Sequence, residues 1–508
     1  MMPIEIDGSS LTLDSIYKIA HKGAKLKITA EAIERMQNSR DCIDELIGRG
    51  NVIYGVNTGF GKLSNILIPA GQLEELQLNL LLSHACGVGD YLPEYIVRAV
   101  MALKVNSLCR GFSGTRPELA NMLVEMLNRS IIPGIPEKGS VGASGDLAPL
   151  AHMSLVMLGL GEAFFNNQKL PGKEALKKAR LQPFKLAAKE GLALINGTQV
   201  TTAIAAIALL RAIQLVKIAD IAGALTVESL LHSKVAFDDR IQKARGFPCQ
   251  IKVGQNVRAL LADSEIVDYH KDCGKVQDAY SSRCIPQVHG AVRQALEFVQ
   301  KTIETELNAC TDNPLVFYDE KEVLSGGNFH AQPLSIACDT LAIAMAQLAN
   351  ISERRLENLM DQNQSGLPPF LAVESGKNSG YMIAQVTAAA LVSENKVLCH
   401  PASVDSIPTS ANQEDFVSMG THAARKALEV VENVETIIGI ELLAGCQAVD
   451  FRKNLQPGKG TGPAYKTIRR SIPSMTKDRL LQKDISQICD LIRSGDIVRA
   501  VEKTTGPL

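Results

Sequence analysis

The fold is decided by the long segment between Thr198 and Leu231, which reads TQVTTAIAAIALLRAIQLVKIADIAGALTVESLL. Its apolar positions are dense, its residues are small and it contains no proline, which predicts one long buried helix. The segments from Leu334 to Met360 and from Val417 to Val449 have the same character. Three long apolar helices predict a bundle core.

The rest of the chain predicts a mainly α fold, with a long central helical bundle and a smaller mixed N-terminal part. The 508 residues are 4% aromatic and contain no tryptophan, which suits close packing of helices rich in alanine and leucine. Alternating strand patterns are few and short. The character of the sequence changes near Asn196, which predicts an N-terminal domain of residues 1–195 and a long-helix bundle with the C-terminal region in residues 196–508.

Charge and cysteine usage exclude several classes of protein. Lysine and arginine total 53 against 54 acidic residues, which predicts no nucleic-acid partner. The eleven cysteines form no Cys-x-x-Cys pair and the first residues show no secretory signal, so we expect a cytoplasmic protein. The apolar run from Ala203 to Leu210 is stopped by Arg211, far short of a membrane span, and predicts a buried helix with no membrane partner.

Three familiar kinds of site are also excluded by spacing. No two of the nine histidines lie within four residues of each other, so we expect no metal site of the helix-face type. The segment from Gly55 to Lys62 has one residue too many between its glycines for a phosphate-binding loop. Ser144 lacks the second glycine of a nucleophile elbow, because Asp146 stands there.

The most informative short segment is Gly139 to His152, which reads GSVGASGDLAPLAH. Gly142 and Gly145 tolerate unusual backbone angles, so a tight turn could bring the Gly145 nitrogen onto the carbonyl of Ala143. Loss of two waters, one from the ring and one from Ser144, would then leave a methylidene-imidazolone, which is an electrophile. The alternative is a glycine-rich turn that opens the next helix, with Ser144 or Asp146 as its N-cap.

Two polar positions in the N-terminal part can each be interpreted in two ways. Tyr54 stands among glycines at 55, 59 and 61, where a thin backbone would let its phenol reach a ligand; it could equally be a surface tyrosine in a turn. His84 follows the run Leu80 to Leu82, where it is either a ligand-binding group or a satisfied core histidine.

Later segments offer an amide, a guanidinium and a carboxylate. Asn196 precedes the long apolar helix, where it could cap that helix and also serve a site. On a helix, Gln277 and Tyr280 fall near one face with Arg283 close beside them; Arg283 could grip a carboxylate through two hydrogen bonds or form a surface ion pair. Glu414 could belong to a site or to a capped helix start.

Taken in order from Tyr54 to Phe416, these segments resemble the aromatic amino acid ammonia-lyase family over most of the chain. The resemblance implies that Ala143, Ser144 and Gly145 form a methylidene-imidazolone autocatalytically, with no external cofactor. It also implies a mainly helical homotetramer whose active sites draw residues from several subunits, and a small-molecule substrate, an amino acid.

The resemblance implies a role for each matched residue. Tyr54 would remove the β-proton, and Tyr280 would belong to the proton-handling network. Arg283 would hold the substrate carboxylate, while His84 and Glu414 would bind an imidazole ring. Asn196 and Gln277 would orient the prosthetic group and substrate, and Phe329 would pack near the electrophile. The phenol of Tyr54 has a high reference pKa, so neighbours must make it a usable base.

Within the family, Ser83-His84 and Glu414 favour L-histidine as the substrate and urocanate as the product, which is the first step of histidine degradation. Two departures are Phe416, where the histidine-specific members usually have histidine, and Cys86, where alanine is more common. Phe416 could favour a more apolar ring. The alternatives are a lyase or 2,3-aminomutase for tyrosine or phenylalanine with the same prosthetic group, and a helical scaffold whose triplet never cyclises.

Overall fold

A computed structural model describes residues 2–269, 276–452 and 455–508 of the chain. Helices make up most of these residues and the strands are short, so the predicted mainly α fold is confirmed. The three long helices predicted from the apolar segments are α9, α15 and α18 in the numbering that follows.

The α-helices follow one another along the whole chain. They are α1 (Leu13–Lys22), α2 (Ala30–Gly48), α3 (Leu73–His84), α4 (Glu94–Cys109), α5 (Pro117–Asn128), α6 (Ala148–Met157), α7 (Gly172–Lys178), α8 (Glu190–Ile195), α9 (Gln199–Ser229), α10 (Asp239–Arg245), α11 (Pro248–Leu260), α12 (Glu265–Tyr269), α13 (Tyr280–Arg283), α14 (Ile285–Glu306), α15 (Gln332–Met360), α16 (Gln362–Ser365), α17 (Met382–Leu398), α18 (Gly420–Phe451), α19 (Thr461–Ser471), α20 (Leu481–Ser494) and α21 (Asp496–Thr505). Short 3-10 turns lie at Gly61–Leu63, Ala70–Gln72, Val235–Phe237, Pro369–Leu371 and Ser410–Asn412.

Local sequence signals account for several helix starts. The hydroxyl of Thr12 accepts the backbone N–H of Ser15, and that of Thr29 accepts the N–H of Ala32, so these threonines cap α1 and α2. Proline occupies the first turn of α5 and of α11, where its missing N–H has no intrahelical partner to lose.

The strands form four small sheets. They are β1 (Ile4–Ile6), β2 (Leu26–Ile28), β3 (Val88–Tyr91), β4 (Ile132–Pro133), β5 (Pro136–Lys138), β6 (Glu162–Phe165), β7 (Gln168–Pro171), β8 (Leu315–Phe317) and β9 (Glu322–Leu324). β1 pairs in parallel with β2, whereas the pairs β3–β5 and β8–β9 and the three-stranded sheet β4–β6–β7 are antiparallel. Three of these sheets, which contain β1 to β7, lie within residues 1–195 and supply the mixed character expected of the N-terminal part.

The chain forms two compact units, each made of several segments. The first contains residues 1–208, 300–339 and 401–425, and the second contains residues 209–299, 340–400 and 426–508. Most bounds fall inside long helices, namely α9, α14, α15 and α18. The domain boundary expected between residues 195 and 196 lies close to the first of these bounds and stays a prediction.

In the first unit, packing of three helices determines where the candidate site lies. α3, α6 and α8 pack against one another. α3 ends at His84, α6 begins two residues after Asp146, and α8 ends immediately before Asn196. Three of the segments selected from the sequence are therefore attached to one packed group of helices.

The core of the second unit contains a buried ion pair between α15 and α18. The side chains of Arg355 and Glu441 are fully buried, and Arg355 donates to both carboxylate oxygens, at 2.6 and 2.8 Å. The hydroxyls of Thr226 and Ser352 donate to the same carboxylate. Because every oxygen and both charges are paired, the pair is compatible with an otherwise apolar helical core.

Two described helices, α9 and α15, are long and apolar enough to cross a membrane by length and composition. In both, however, 72% of the most apolar window is buried inside the protein. Ala203 to Leu209 are buried without exception, so the buried helix predicted for this run is confirmed.

Candidate active site

The triplet Ala143-Ser144-Gly145 lies in an irregular turn whose backbone requires glycine on either side of Ser144. Gly142 and Gly145 have φ angles of +67° and +73°. A Cβ at Gly145 would lie 2.1 Å from the carbonyl oxygen of Gly197, and one at Gly142 would lie 2.2 Å from the Ser418 hydroxyl. Both positions therefore exclude a side chain by strain and by contact.

Hydrogen bonds hold this turn from two sides. On one side, the backbone N–H of Asp146 donates to Gly197 at 2.8 Å, so the turn pairs with the segment after α8. On the other, Ser418 donates through its hydroxyl to the carbonyl of Gly142 at 2.9 Å, and the N–H of Met419 donates to Val141 at 2.8 Å. The conformation of this turn is thus fixed by residues distant in the chain, and its own sequence would not fix it.

Asp146 caps a helix, but the helix differs from the one considered in the sequence analysis. Its carboxylate accepts the backbone N–H groups of Val200 and Thr201, at 2.7 and 3.0 Å, at the start of α9. α6 begins after Leu147 with no side-chain cap, so the alternative in which Ser144 or Asp146 caps this helix is wrong. Burial raises the pKa of Asp146, although these hydrogen bonds act against the rise.

Glu414 lies against the triplet. The Ser144 hydroxyl donates to one carboxylate oxygen at 3.1 Å, and the Thr409 hydroxyl donates to the other at 2.7 Å. Backbone bonds between Thr409 and Glu414 close the short loop that carries the acid. The helix start considered for this segment is only a 3-10 turn at Ser410–Asn412, and Glu414 follows it.

His84 is the last residue of α3 and is half-buried. Its Nδ1 lies 2.8 Å from the carbonyl oxygen of Leu80, which can only accept, so Nδ1 carries the hydrogen and Nε2 of the neutral ring is an acceptor. Burial lowers the pKa of His84, while the Leu80 carbonyl and the nearby Glu414 carboxylate act in the opposite direction. The imidazole is therefore a neutral ring with Nε2 as its acceptor, and the Glu414 carboxylate is close enough to act on its charge.

Tyr54 belongs to a tight loop that reaches the Glu414 loop. A Cβ at Gly55, whose φ is +68°, would lie 2.3 Å from a side-chain carbon of Leu192, so this position has no room for a side chain. The N–H of Gly61 donates to the Tyr54 hydroxyl at 3.2 Å, which leaves the phenol hydrogen free for another acceptor. The turn at Gly61–Leu63 packs on the turn at Ser410–Asn412.

Asn196 ends α8 and does not cap α9. Its side chain is 5% exposed, and its Oδ1 is buried with no hydrogen-bond partner among the described residues. The next residue, Gly197, pairs with Gly145 of the triplet. A buried amide oxygen without a partner is costly in a folded core, so its presence beside the triplet requires an explanation.

Phe329 and Phe416 belong to neighbouring loops of the first unit. Phe329 is half-buried in a turn just before α15. The ring of the following His330 stacks on Phe416 with centroids 5.9 Å apart and planes 10° from parallel, and His330 Nε2 lies 3.3 Å from the Phe416 carbonyl oxygen. The ring of Phe416, which stands where histidine is more usual, therefore stacks on His330 and connects the loop of Glu414 with the loop of Phe329.

Gln277, Tyr280 and Arg283 lie in the second unit. The expectation that one helix carries all three is wrong for Gln277, because α13 begins at Tyr280. The guanidinium of Arg283 lies over the Tyr280 ring, 4.8 Å from its centroid, and its Nε donates to the carbonyl of Asp278 at 2.9 Å. Tyr280 is 74% exposed, so the phenol and guanidinium are presented at the surface of their unit.

Several polar groups around the triplet were not predicted to belong to the site, and all of them except Ser140 are buried. Besides Asp146, they are Ser140, Ser418 and Thr421, which bind the turn, and Lys104, whose ammonium donates to the carbonyl of Asn196. Lys104 could have been found, because it is a single cation in the apolar run AVMALKVNSL of α4. The hydroxyl groups carried no such signal.

A protein-family comparison decides to which family this site belongs. The family model for aromatic amino acid lyase matches residues 11–470, which is most of the chain. The chain belongs to the aromatic amino acid lyase family. Among the described residues of this aromatic amino acid lyase, no group of three or more His, Cys, Asp or Glu side chains is arranged to hold a metal ion.

Individual family members are similar over the whole chain. Histidine ammonia-lyase from Caldanaerobacter subterraneus subsp. tengcongensis is 50% identical over 503 residues, which cover 99% of each protein. The crystal structure of histidine ammonia-lyase from Trypanosoma cruzi has a TM-score of 0.92 and 45% identity, covering 99% of this aromatic amino acid lyase and 96% of that chain. Tyrosine aminomutase from Streptomyces globisporus has a TM-score of 0.94 and 35% identity, covering 100% of both chains.

Proposed function

We propose that this aromatic amino acid lyase is a histidine ammonia-lyase, which eliminates ammonia from L-histidine to give urocanate. One observation carries the proposal, namely the position of Glu414. Its carboxylate accepts a hydrogen bond from the Ser144 hydroxyl at 3.1 Å, and its negative charge favours the protonated form of His84. An acid and an imidazole acceptor beside the triplet are suited to bind an imidazole ring. The 50% identity to a histidine ammonia-lyase over 99% of the chain supports the same substrate.

We infer that Ala143, Ser144 and Gly145 form a methylidene-imidazolone, with no external cofactor. The surroundings fit this group, because the turn has left-handed backbone at Gly142 and Gly145 and is held on both sides. The buried Oδ1 of Asn196 has no partner and could serve the ring or the substrate. When formed, the group supplies an electrophile, which the reaction needs because the β-hydrogen is hardly acidic and ammonia is a poor leaving group.

Residues of the first unit would handle the substrate's proton and ring. Once its own hydrogen has passed to another acceptor, the Tyr54 phenolate would accept the β-proton, and the Gly61 N–H would stabilise this phenolate by donating to its oxygen. His84 Nε2 and Glu414 would bind the imidazole, and Phe329 would pack near the triplet. The Asn196 amide would orient the reacting groups.

Gln277, Tyr280 and Arg283 would also bind or orient the substrate, in active sites shared between subunits. Arg283 has its Nε bound to Asp278, which leaves its terminal N–H groups for a two-pronged grip on the substrate carboxylate. Tyr280 and Gln277 would join the proton network and orient the substrate. Because Tyr280 is 74% exposed, we propose a homotetramer in which such residues serve shared active sites.

We also propose that the enzyme works in the cytoplasm. The described cysteines are free thiols, five of which are buried: Cys42, Cys109, Cys338, Cys446 and Cys489. A reducing compartment keeps thiols in this state.

The function is tested by incubating purified protein with L-histidine, L-tyrosine and L-phenylalanine in parallel. We expect urocanate, seen by its ultraviolet absorbance, from L-histidine only, and an intact mass that is lower than the sequence mass by two waters. Folded tetramer that makes no urocanate would contradict the proposed substrate. An unchanged intact mass would contradict the prosthetic group.

A second candidate is a lyase or 2,3-aminomutase for tyrosine or phenylalanine. Phe416 favours it, because it adds an apolar ring, stacked on His330, to the loop of Glu414. The same substrate panel separates the two functions, since a mutase returns a β-amino acid and releases little ammonia.

A further inference from the structure

Lys104 is a buried cation of α4 that the proposed reaction leaves without a role. Its side chain is 1% exposed. Within the described parts of the chain, no carboxylate lies within 4.0 Å of its Nζ, whereas the neighbouring buried Lys189 is paired with Asp312 at 2.7 Å. A buried ammonium without an ion-pair partner is rare because removing it from water is costly. Its position therefore requires another explanation.

The ammonium donates only to backbone carbonyls at the end of α8. Nζ lies 2.7 Å from the carbonyl oxygen of Asn196 and 3.1 Å from that of Ala193. The last carbonyls of a helix have no intrahelical partner, so a buried cation satisfies them where water cannot. Hydrogen bonds from a charged donor are also stronger than neutral ones.

These bonds act on the segment that carries the site. Asn196 holds the unpartnered amide oxygen, and Gly197 accepts the N–H of Asp146 at 2.8 Å and lies against Gly145. The carbonyl bound by Lys104 belongs to the peptide that joins Asn196 to Gly197. The ammonium therefore binds the peptide group that lies between the Asn196 amide side chain and the Gly197 backbone.

The charges around Lys104 are consistent with a retained ammonium. Burial lowers the pKa of Lys104 to about 8, while Asp312 and Asp146 raise it and Lys189 lowers it further. Two carboxylates at longer range therefore offset part of the cost of burial. The hydrogen bonds of the ammonium are still made to the carbonyls of Asn196 and Ala193.

We propose that Lys104 is a positioning residue, which holds the Asn196 carbonyl and thereby sets the Asn196 amide and the Gly197 backbone against the triplet. The proposal rests on the proposed lyase function. It adds a residue on a helix that carries no other part of the site.

The test compares Lys104→Met with Arg98→Met. Arg98 is also a buried cation of α4, and its Nε donates to the carbonyl of Ile19, away from the triplet. We expect Lys104→Met to lower kcat roughly 10- to 100-fold with KM changed much less, because a small misplacement of a positioned group has effects of this size. We also expect a smaller fraction of its chains to have lost two waters by intact mass. Arg98→Met should lower Tm but keep the kcat and the mass of the wild type.

A double-mutant cycle with Asn196→Ala shows whether Lys104 acts through Asn196. We expect the double variant to lose little more kcat than Asn196→Ala alone, since residues that act through one another are not additive. Full additivity, or a Lys104→Met variant with the kcat and mass of the wild type, would overturn the proposal. Lys104→Gln, which keeps a neutral N–H donor, replaces the methionine variant if that one does not fold.

The wild type is measured alongside the variants. If it neither cyclises nor forms urocanate, the proposed function fails. If it does both and Lys104→Met matches it, only the role of Lys104 fails.

Discussion

Buried polar groups around the triplet of the first unit are used differently from the buried ion pair in the core of the second unit. In the second unit, Arg355 and Glu441 satisfy each other completely inside the helical core. In the first unit, Asp146 and Lys104 bind backbone groups, and the amide oxygen of Asn196 has no partner among the described residues. Paired groups stabilise a core, whereas groups that bind backbone hold an irregular turn. We expect this difference to separate residues needed for stability from residues needed for the proposed reaction.

The largest expected effect on activity comes from Ser144→Ala in the first unit. The variant cannot lose water from Ser144, so we expect urocanate formation to fall at least about 10⁴-fold, or about 5 kcal/mol in the barrier. Tm should stay near that of the wild type, because Ser144 makes a single side-chain bond. Turnover and intact mass are the measurements.

Ser154→Ala is the matched control for Ser144→Ala. Ser154 lies in α6, and its hydroxyl donates to the carbonyl of Leu150. It should keep wild-type turnover. A Ser144→Ala enzyme with the wild-type rate would show that the electrophile is assigned to the wrong residue.

The opposite pattern is expected for Glu441→Gln in the second unit. Loss of the carboxylate leaves Arg355 as a buried charge without a counter-ion, which should cost about 3–5 kcal/mol in the free energy of unfolding. Denaturant unfolding measures it, and kcat per folded site should not change. Glu432→Gln, which removes an acid from the exposed side of α18, is the control and should have little effect.

A smaller loss of activity is expected for Arg283→Lys. Lysine keeps the charge but cannot make two parallel hydrogen bonds to a carboxylate, so we expect kcat/KM for L-histidine to fall about 10- to 100-fold. Arg240→Lys, at a 90% exposed side chain of the second unit, should leave kcat/KM unchanged. Equal kinetics for both variants would remove Arg283 from the substrate site.

Alkaline pH should weaken the core of the second unit. Burial raises the pKa of Cys446 from 9.0 to about 12. Above about pH 9 this thiol therefore ionises in the unfolded chain but not in the folded one, so its stabilising contribution is lost as pH rises, by about 1 kcal/mol per pH unit. Tm measured between about pH 8 and pH 10 should fall less steeply for Cys446→Ala than for the wild type. Parallel slopes would contradict this assignment.

The smallest effect is expected for the stacked pair. Phe416→Ala should raise KM for L-histidine only a few fold, because an aromatic pair contributes about 0.5–1.5 kcal/mol and this one is 63% exposed on the Phe416 side. Phe416→His keeps a ring at this position, so we expect its KM to equal that of the wild type. If Phe416→His instead increased the preference for L-histidine strongly, Phe416 would be a specificity residue.

Much of the fold could be predicted from the sequence. α9, α15 and α18 were predicted because length, apolar density and absence of proline are local properties. The triplet turn was recognised by its glycines, and α6 does begin just after it, but neither Ser144 nor Asp146 caps that helix, as the alternative interpretation required. The cap of α9 comes from Asp146, a residue distant in the chain, and local spacing cannot show such a bond.

The candidate site could be predicted only in part for the same reason. The resemblance selected Tyr54, His84, Asn196, Glu414 and the triplet, which the fold places in one unit. Nothing in the spacing of the chain indicated that Lys104 would bind Asn196, or that Phe416 would stack on His330. The helix expected to include Gln277 begins only at Tyr280.

The sequence by itself determined the mainly helical class, the long core helices and the chemical capacity of the Ala-Ser-Gly triplet, because each depends on residue type and short-range spacing. Only the tertiary structure decided which groups meet at the triplet. Glu414 reaches Ser144 over 270 residues, and Ser418 reaches Gly142 over 276. The left-handed turn at Gly142 and Gly145 is held by these long-range hydrogen bonds, and their energy depends on distance and direction in space, which position in the chain does not specify.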